Sequence, residues 1–289
     1  MNAVYEAPRA LQQACARLAE LGPAARVLAG GTDLIVQMRS GRIHPAQVID
    51  LKHLPGLIGI TQDDSGFLIG AATPCVQIGR HAALRAAWPG VVEAAGLIGS
   101  AQVQGRASLG GNLCNASPAA DSAPALIAAG AQCLIAGPAG ERTLPVSRLH
   151  SGPGRNQLGP GEILHALRIP APQARQGDAY LRLIPRTEMD IAVVGAGVCI
   201  QSSADGQRIE SVRLVLGAVA PTAVEVDVAH LTGREMNDDT LRALAEAARA
   251  ACKPIDDKRG TAAYRVRVAG VLAQRAARIA WARSQGATA

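Results

Sequence analysis

Aromatic side chains are almost missing from this chain: they make up 2% of its 289 residues, with one Phe. A protein that stacks many bases or sugars on its own rings carries more of them. No C-x-x-C pair occurs, and Cys15, Cys75, Cys114, Cys133, Cys199 and Cys252 have neither zinc nor iron–sulfur spacing. At least five of them are expected to be buried free thiols in a reducing compartment. Cys114, just after the Gly110-Gly111 pair, is expected to pack rather than react, and no metal site is expected. No His-x-x-x-His pair or legible Ser-His-Asp arrangement is present, so no catalytic residue is expected either. Two common phosphate-loop fingerprints, G-x-G-x-x-G and a glycine loop ending in Gly-Lys-Ser/Thr, are missing. No apolar run is long enough to cross a bilayer. The opening Met1-Asn2-Ala3-Val4-Tyr5-Glu6 does not read as a signal peptide, so the expected location is cytoplasmic.

What is present describes a globular chain: 48% hydrophobic and 18% charged residues, with length for one large or two medium domains. The net charge is +6, from scattered basic residues and one concentration between Lys258 and Arg283 on an expected helix. That concentration reads as a solvated helix face. No nucleic-acid motif accompanies it, so no nucleic-acid partner is expected.

Two glycine pairs carry most of the information. Ala29-Gly30-Gly31-Thr32-Asp33 follows the apolar run Arg26-Val27-Leu28. Ala107-Ser108-Leu109-Gly110-Gly111-Asn112 is followed by Leu113-Cys114-Asn115-Ala116-Ser117-Pro118 and Asp121. Each sets bare backbone beside a small hydroxyl and an amide or carboxylate, which suits an anion held by main-chain N–H groups. Two cradles suggest a ligand with a central pyrophosphate and two ends, such as a dinucleotide. Asp121 has two readings: a charge favouring a helix N-terminus, or an acceptor for a ribose hydroxyl.

Periodicity divides the rest. Helices are expected over 8–21, 33–39, 89–98 and 119–129; strands over 26–29, 48–51, 57–61, 67–71, 132–136, 142–145 and 162–169. The segment Pro170 to Gly177 reads as a linker. Beyond it come three strands, 180–184, 193–201 and 209–219, then a helix over 238–252 capped by Asn237 and another over 261–283. Runs of strands followed by helices predict an α+β fold with domains 1–175 and 176–289.

With those residues in view, the chain resembles the FAD-binding medium subunit of molybdenum hydroxylases, a group that includes aerobic carbon monoxide dehydrogenase and bacterial xanthine dehydrogenase. Ser151-Gly152-Pro153-Gly154, Gly161-Glu162-Ile163-Leu164 and Met189-Asp190-Ile191-Ala192 match further family signatures in order. The resemblance implies a two-subdomain FAD-binding domain of the vanillyl-alcohol-oxidase (PCMH) type. It implies next a C-terminal domain with a three-stranded antiparallel sheet and a helical bundle. It also implies roles: Val27, Leu28, Ala29, Gly30, Gly31, Thr32 and Asp33, with Ser108, Gly110, Gly111 and Asn112, would hold the pyrophosphate. Asp121 would take a ribose or ribityl hydroxyl. Ile98 would pack on the cofactor's rings, and Leu164 would contact the flavin. Arg182 stands where many relatives have Lys near the isoalloxazine.

The implied partners are a small subunit with [2Fe–2S] clusters and a large molybdopterin subunit, in a dimer of heterotrimers. The implied activity is electron transfer from the clusters through FAD to an external acceptor. A free-standing FAD-dependent oxidase of the same superfamily and a cofactor-free bridging scaffold are the alternatives. The first needs a catalytic base or covalent tether, and none stands out. The second would not need the glycine cradles.

Overall fold

The computed structural model describes residues 3–287; residues 1–2 and 288–289, the outer ends of the two expected domains, lie outside the described residues. The chain begins with a parallel sheet of three short strands, β1 (Val4–Glu6), β2 (Ala25–Leu28) and β3 (Gln47–Asp50), in the order β1-β3-β2. Parallel neighbours need crossovers. The helix α1 (Leu11–Leu21) makes the first, burying Ala14, Cys15 and Leu18, and ends at Gly22, whose φ of +51° favours glycine. The crossover from β2 contains the first glycine motif and a short helix, α2 (Leu34–Arg39). That motif therefore lies at the carboxyl end of a parallel strand, the usual place for a ligand in such sheets.

The hairpin β4 (Ile60–Asp63) and β5 (Gly66–Gly70) starts a second sheet. Gly66 has φ +125°, and a Cβ there would lie 2.2 Å from the Ile169 carbonyl oxygen, so the turn needs glycine. Six helices follow: α3 (Cys75–Arg80), α4 (Ala82–Ala87), α5 (Pro89–Gly96), α6 (Ala101–Gln104), α7 (Leu109–Asn115) and α8 (Ser122–Ala128). The strands β6 (Gln132–Gly137) and β7 (Gly140–Pro145), a small ribbon of β8 (His150–Gly152) and β9 (Arg155–Asn156), and β10 (Ile163–Pro170) complete this part. The antiparallel order is β4-β5-β10-β6-β7, with the long strand β10 at the centre. One continuous core joins α1, α5, α7, α8 and this sheet.

The remaining strands are β11 (Gln176–Leu183), β12 (Val194–Ser202), β13 (Ile209–Gly217) and β14 (Val224–Val226), a meander in that order. The sheet has four strands; the fourth, only three residues long after Pro221, gives too little alternation to be read from sequence. The helices α9 (Asp238–Ala251) and α10 (Ala262–Ser284) cover one face. Asn237 caps α9, accepting the Thr240 N–H at 3.0 Å, as its sequence predicts. The expected linker shrinks because β11 begins at Gln176, four residues early.

Period-2 alternation makes this sheet a middle layer. On β12, Val194, Ala196, Val198 and Ile200 belong to the core shared with α9 and α10. Gly195, Gly197 and Cys199 face the opposite way, toward α8. A Cβ on Gly197 would lie 2.5 Å from the Pro124 carbonyl oxygen, so α8 rests directly on the strand backbone. On β11 the same face carries Asp178, Tyr180 and Arg182, a polar stripe turned into the domain junction.

Candidate functional site

The two glycine motifs meet. After β2 the chain turns through Gly31 at φ +80°, and a Cβ on Gly30 would lie 1.9 Å from the Arg106 carbonyl oxygen, just before the second motif. Gly30 is glycine because two backbones touch there. The second motif is a helix rather than the loop its two glycines suggest. Ser108 caps α7, its Oγ accepting the Gly111 N–H at 3.1 Å. Gly110 fits beneath the Ala71 carbonyl, where a Cβ would approach to 2.4 Å. Gly111 differs: a Cβ there would meet only Ser108 Oγ, at 3.2 Å. Each interior glycine costs a helix up to about 1 kcal/mol against Ala, roughly what one good cap returns.

The far end of α7 is also tied down. Ala116 takes a left-handed φ of +50°. The β8–β9 ribbon then supplies donors to the exposed helix carbonyls: His150 Nε2 to Leu113 at 2.8 Å, Asn156 Nδ2 to Cys114 at 2.9 Å and the Gly154 N–H to Ala116 at 2.9 Å. Burial lowers the His150 pKa, which favours the neutral ring with its hydrogen on Nε2. The Ser151-Gly152-Pro153-Gly154 signature is thus a support for the second motif.

A cavity of about 430 Å³ opens between the motifs. Val27, Ala29, Gly30, Gly31, Thr32 and Asp33 line it from the first, and Ser108, Gly110, Gly111 and Asn112 from the second. Ile98 and Leu164 join Leu57 and Ala72 in an apolar wall. Three expected residues are elsewhere. Leu28 does not line the cavity; its side chain packs beneath Gly31. Asp121 and Arg182 do not line it either. Instead Asp121 Oδ2 pairs with Arg182 Nη1 at 2.6 Å, and its Oδ1 accepts the Tyr180 hydroxyl at 2.8 Å. Their side chains are 9% and 7% exposed, so this is a buried clasp between the start of α8 and β11. Burial raises the Asp121 pKa from its ordinary value, against the pull of Arg182 and Tyr180.

The cavity offers main-chain donors as well as polar side chains such as Asp33, Gln37, Asn112 and Asn115. Among the described residues, the N–H groups of Gly30, Gly31, Thr32 and Asp33 have no acceptor. Asn112 Oδ1 accepts Ser122 Oγ at 2.6 Å, which leaves its Nδ2 as the free donor end. Sequence reading missed Gln37 and Asn115, which line the cavity and bond each other at 3.3 Å. Gln37 lies four residues after Asp33, one helical turn on, and that spacing was the available signal. Asp33 is exposed to the open cavity, yet its concave surroundings strip water and raise its carboxyl pKa. Burial pushes the Cys114 thiol up to about 12, so it is an inert thiol at neutral pH. No histidine lines the cavity. Unused donors, a Gly111 open to the cavity and an aliphatic wall fit a diphosphate with attached rings, and hence FAD.

Comparison with known proteins agrees. A family model described as the FAD binding domain in molybdopterin dehydrogenase matches residues 1–172. The chain belongs to that family. A second model, the CO dehydrogenase flavoprotein C-terminal domain, matches residues 179–280. Among members of the molybdopterin dehydrogenase family, the carbon monoxide dehydrogenase medium chain of Hydrogenophaga pseudoflava is 34% identical, covering 96% of this chain and 97% of its own. The xanthine dehydrogenase FAD-binding subunit of Escherichia coli O157:H7 is 33% identical over 84% of each. The solved carbon monoxide dehydrogenase from Hydrogenophaga pseudoflava superimposes with a TM-score of 0.93 at 34% identity, covering 98% of both chains. The α+β fold and the FAD-binding class expected from the motifs are those of the family.

Proposed function

We propose that this chain is the FAD-holding electron-transfer subunit of a molybdenum hydroxylase. The observation that carries the reading is the row of unbonded N–H groups from Gly30 to Asp33, in one cavity with Gly111. The residues that would hold FAD are Val27 and Ala29 to Asp33 from one motif, and Ser108 and Gly110 to Asn112 from the other. Ile98 and Leu164 would contact its rings. FAD supplies the redox chemistry between one-electron and two-electron carriers; the protein supplies position and electrostatics. The chain's own residues would hold the diphosphate by backbone donors and would line the ring site with aliphatic groups. They offer no histidine for proton transfer.

The partners would be a small subunit carrying [2Fe–2S] clusters and a large molybdopterin subunit, arranged as a dimer of heterotrimers in the cytoplasm. The complex would oxidise a small substrate of the purine, N-heterocycle, aldehyde or carbon monoxide type. The two domains would be 1–175 and 176–289, with the Asp121–Arg182 clasp across them. The purified chain is expected to show flavin absorption bands and to co-purify with an iron–sulfur and a molybdopterin protein from its source. A stable lone chain that oxidises an organic substrate would favour a free-standing oxidase, and a chain that takes up no flavin would leave only a scaffold.

A further inference from the structure

Lys52 lies behind the first glycine motif, and its ammonium is fully committed. It donates to Asp50 Oδ1 and Oδ2, both at 2.7 Å, and to the Ala29 carbonyl oxygen at 3.1 Å. An ammonium has three donors, and these are three acceptors. Asp50 is 3% exposed and is itself fixed by the Lys52 N–H at 3.0 Å and the Tyr5 hydroxyl at 2.7 Å. Lys52 is outside the cavity wall, whereas Ala29 and Gly30 are on it.

The Ala29–Gly30 peptide is trans, as are the others described. In a trans peptide the C=O of one residue and the N–H of the next point in opposite directions. Lys52 pulls the Ala29 carbonyl backward, so the Gly30 N–H is turned forward to the cavity. The Gly30 carbonyl, next along, faces Arg106 Nε at 3.5 Å, a longer contact of the same sense. Were the first peptide to flip, it would offer an oxygen to the diphosphate where it now offers a hydrogen. Glycine at position 30 makes such a flip sterically easy, so an outside anchor is required.

We infer that Lys52 is a positioning residue for the cofactor's diphosphate: by holding the Ala29 carbonyl it sets the direction of the Gly30 N–H. Asp50 cancels its charge, so the work is orientation rather than attraction. The inference rests on the FAD reading of the cavity.

The test separates the two. The unmodified chain is first titrated with FAD by flavin fluorescence; absence of binding would overturn the cavity reading itself. Amide hydrogen exchange is then followed at Gly30 in the same chain. FAD saturation is expected to protect that amide, and unchanged exchange overturns the inference without any variant. The double variants Asp50→Asn/Lys52→Met and Asp50→Asn/Lys52→Gln avoid leaving a lone buried carboxylate. The Met form is expected to bind FAD about tenfold or more weakly, the order of one hydrogen bond to a charged group. Its bound FAD should also show displaced ³¹P resonances. The Gln form, which keeps a donor, should restore both. Equal affinity in all forms, or equal losses in Met and Gln with unmoved ³¹P resonances, would show that the loop orients itself.

Discussion

At the residue scale the glycines of the two motifs have different tasks, and substitution separates them. Gly111→Val adds bulk toward the cavity while its Cβ meets only the Ser108 hydroxyl. The variant is expected to fold with a near-normal melting temperature and to purify flavin-poor, read from the ratio of flavin to protein absorbance. Gly30→Val drives a Cβ into the Arg106 carbonyl and is expected to be insoluble or to melt far lower. Asp121→Ala tests the clasp. It leaves the Arg182 guanidinium buried without its partner, which costs about 3–5 kcal/mol in comparable pairs. Urea denaturation of the FAD-free chain should show that loss. A chain of unchanged stability but weakened FAD would return Asp121 to the ligand role its sequence position suggested. Both glycine pairs and Asn112 stand out in the sequence because each motif is contiguous, whereas Ile98 enters only through the family resemblance; all of them line the cavity. The Asp121–Arg182 pairing was not legible, since 61 residues separate the partners and only the folded junction joins them.

At the scale of elements, the junction between α5, β11 and α10 is expected to respond to pH through Asp178. The Asp178 carboxylate sits against the N–H groups of Gly90 and Val91 at the start of α5, with Oδ1 unpartnered. Burial pushes its pKa from 3.8 to about 7; Glu93 adds to the rise, while those N–H groups and Arg283 oppose it. Arg283 of α10 in turn binds Glu93 of α5 and the Asp178 carbonyl, tying the three elements together. Because the folded chain keeps this proton to a higher pH than the unfolded chain, the contribution of this group to stability is greatest below 3.8. It falls as pH rises toward about 7 and then levels. The slope from one such group is at most about 1.4 kcal/mol per pH unit. Asp178→Asn should flatten the profile in that window, measured by denaturant midpoints across it. A variant with the parent's slope would place the dependence elsewhere. Strand and helix positions here follow from alternation and caps. The turning of Asp178, Tyr180 and Arg182 inward does not, because polar residues at every second position normally mark the solvent face.

At the scale of the whole molecule, the four-stranded sheet carries helices on both faces, with α9 and α10 on one and α5 and α8 on the other. Cys199 and Val215 of that sheet belong to the core of the first domain, and Tyr180 is buried against Ala94 and Ala125. Two parts of a chain that share buried side chains are expected to unfold together. Calorimetry of the intact chain should give one transition, and two well-separated peaks would show that each part stands alone. Residues 176–289 expressed without residues 1–175 should aggregate, since the sheet face bearing Gly195, Gly197, Cys199, Val215 and Gly217 would lie bare. The change in pattern after Pro170 was legible in the sequence, but the depth of contact across it was not. Glycines in a strand look like weakness until α8 is seen resting on them.

The contact of Gly30 with the Arg106 carbonyl carries one more implication. The spacing of the two segments that would hold the diphosphate is set by the chain itself, before any nucleotide arrives. Little conformational freedom is then surrendered on docking, which favours tight retention of the coenzyme. A preparation stripped of its yellow colour should regain it on simple mixing, with no refolding step.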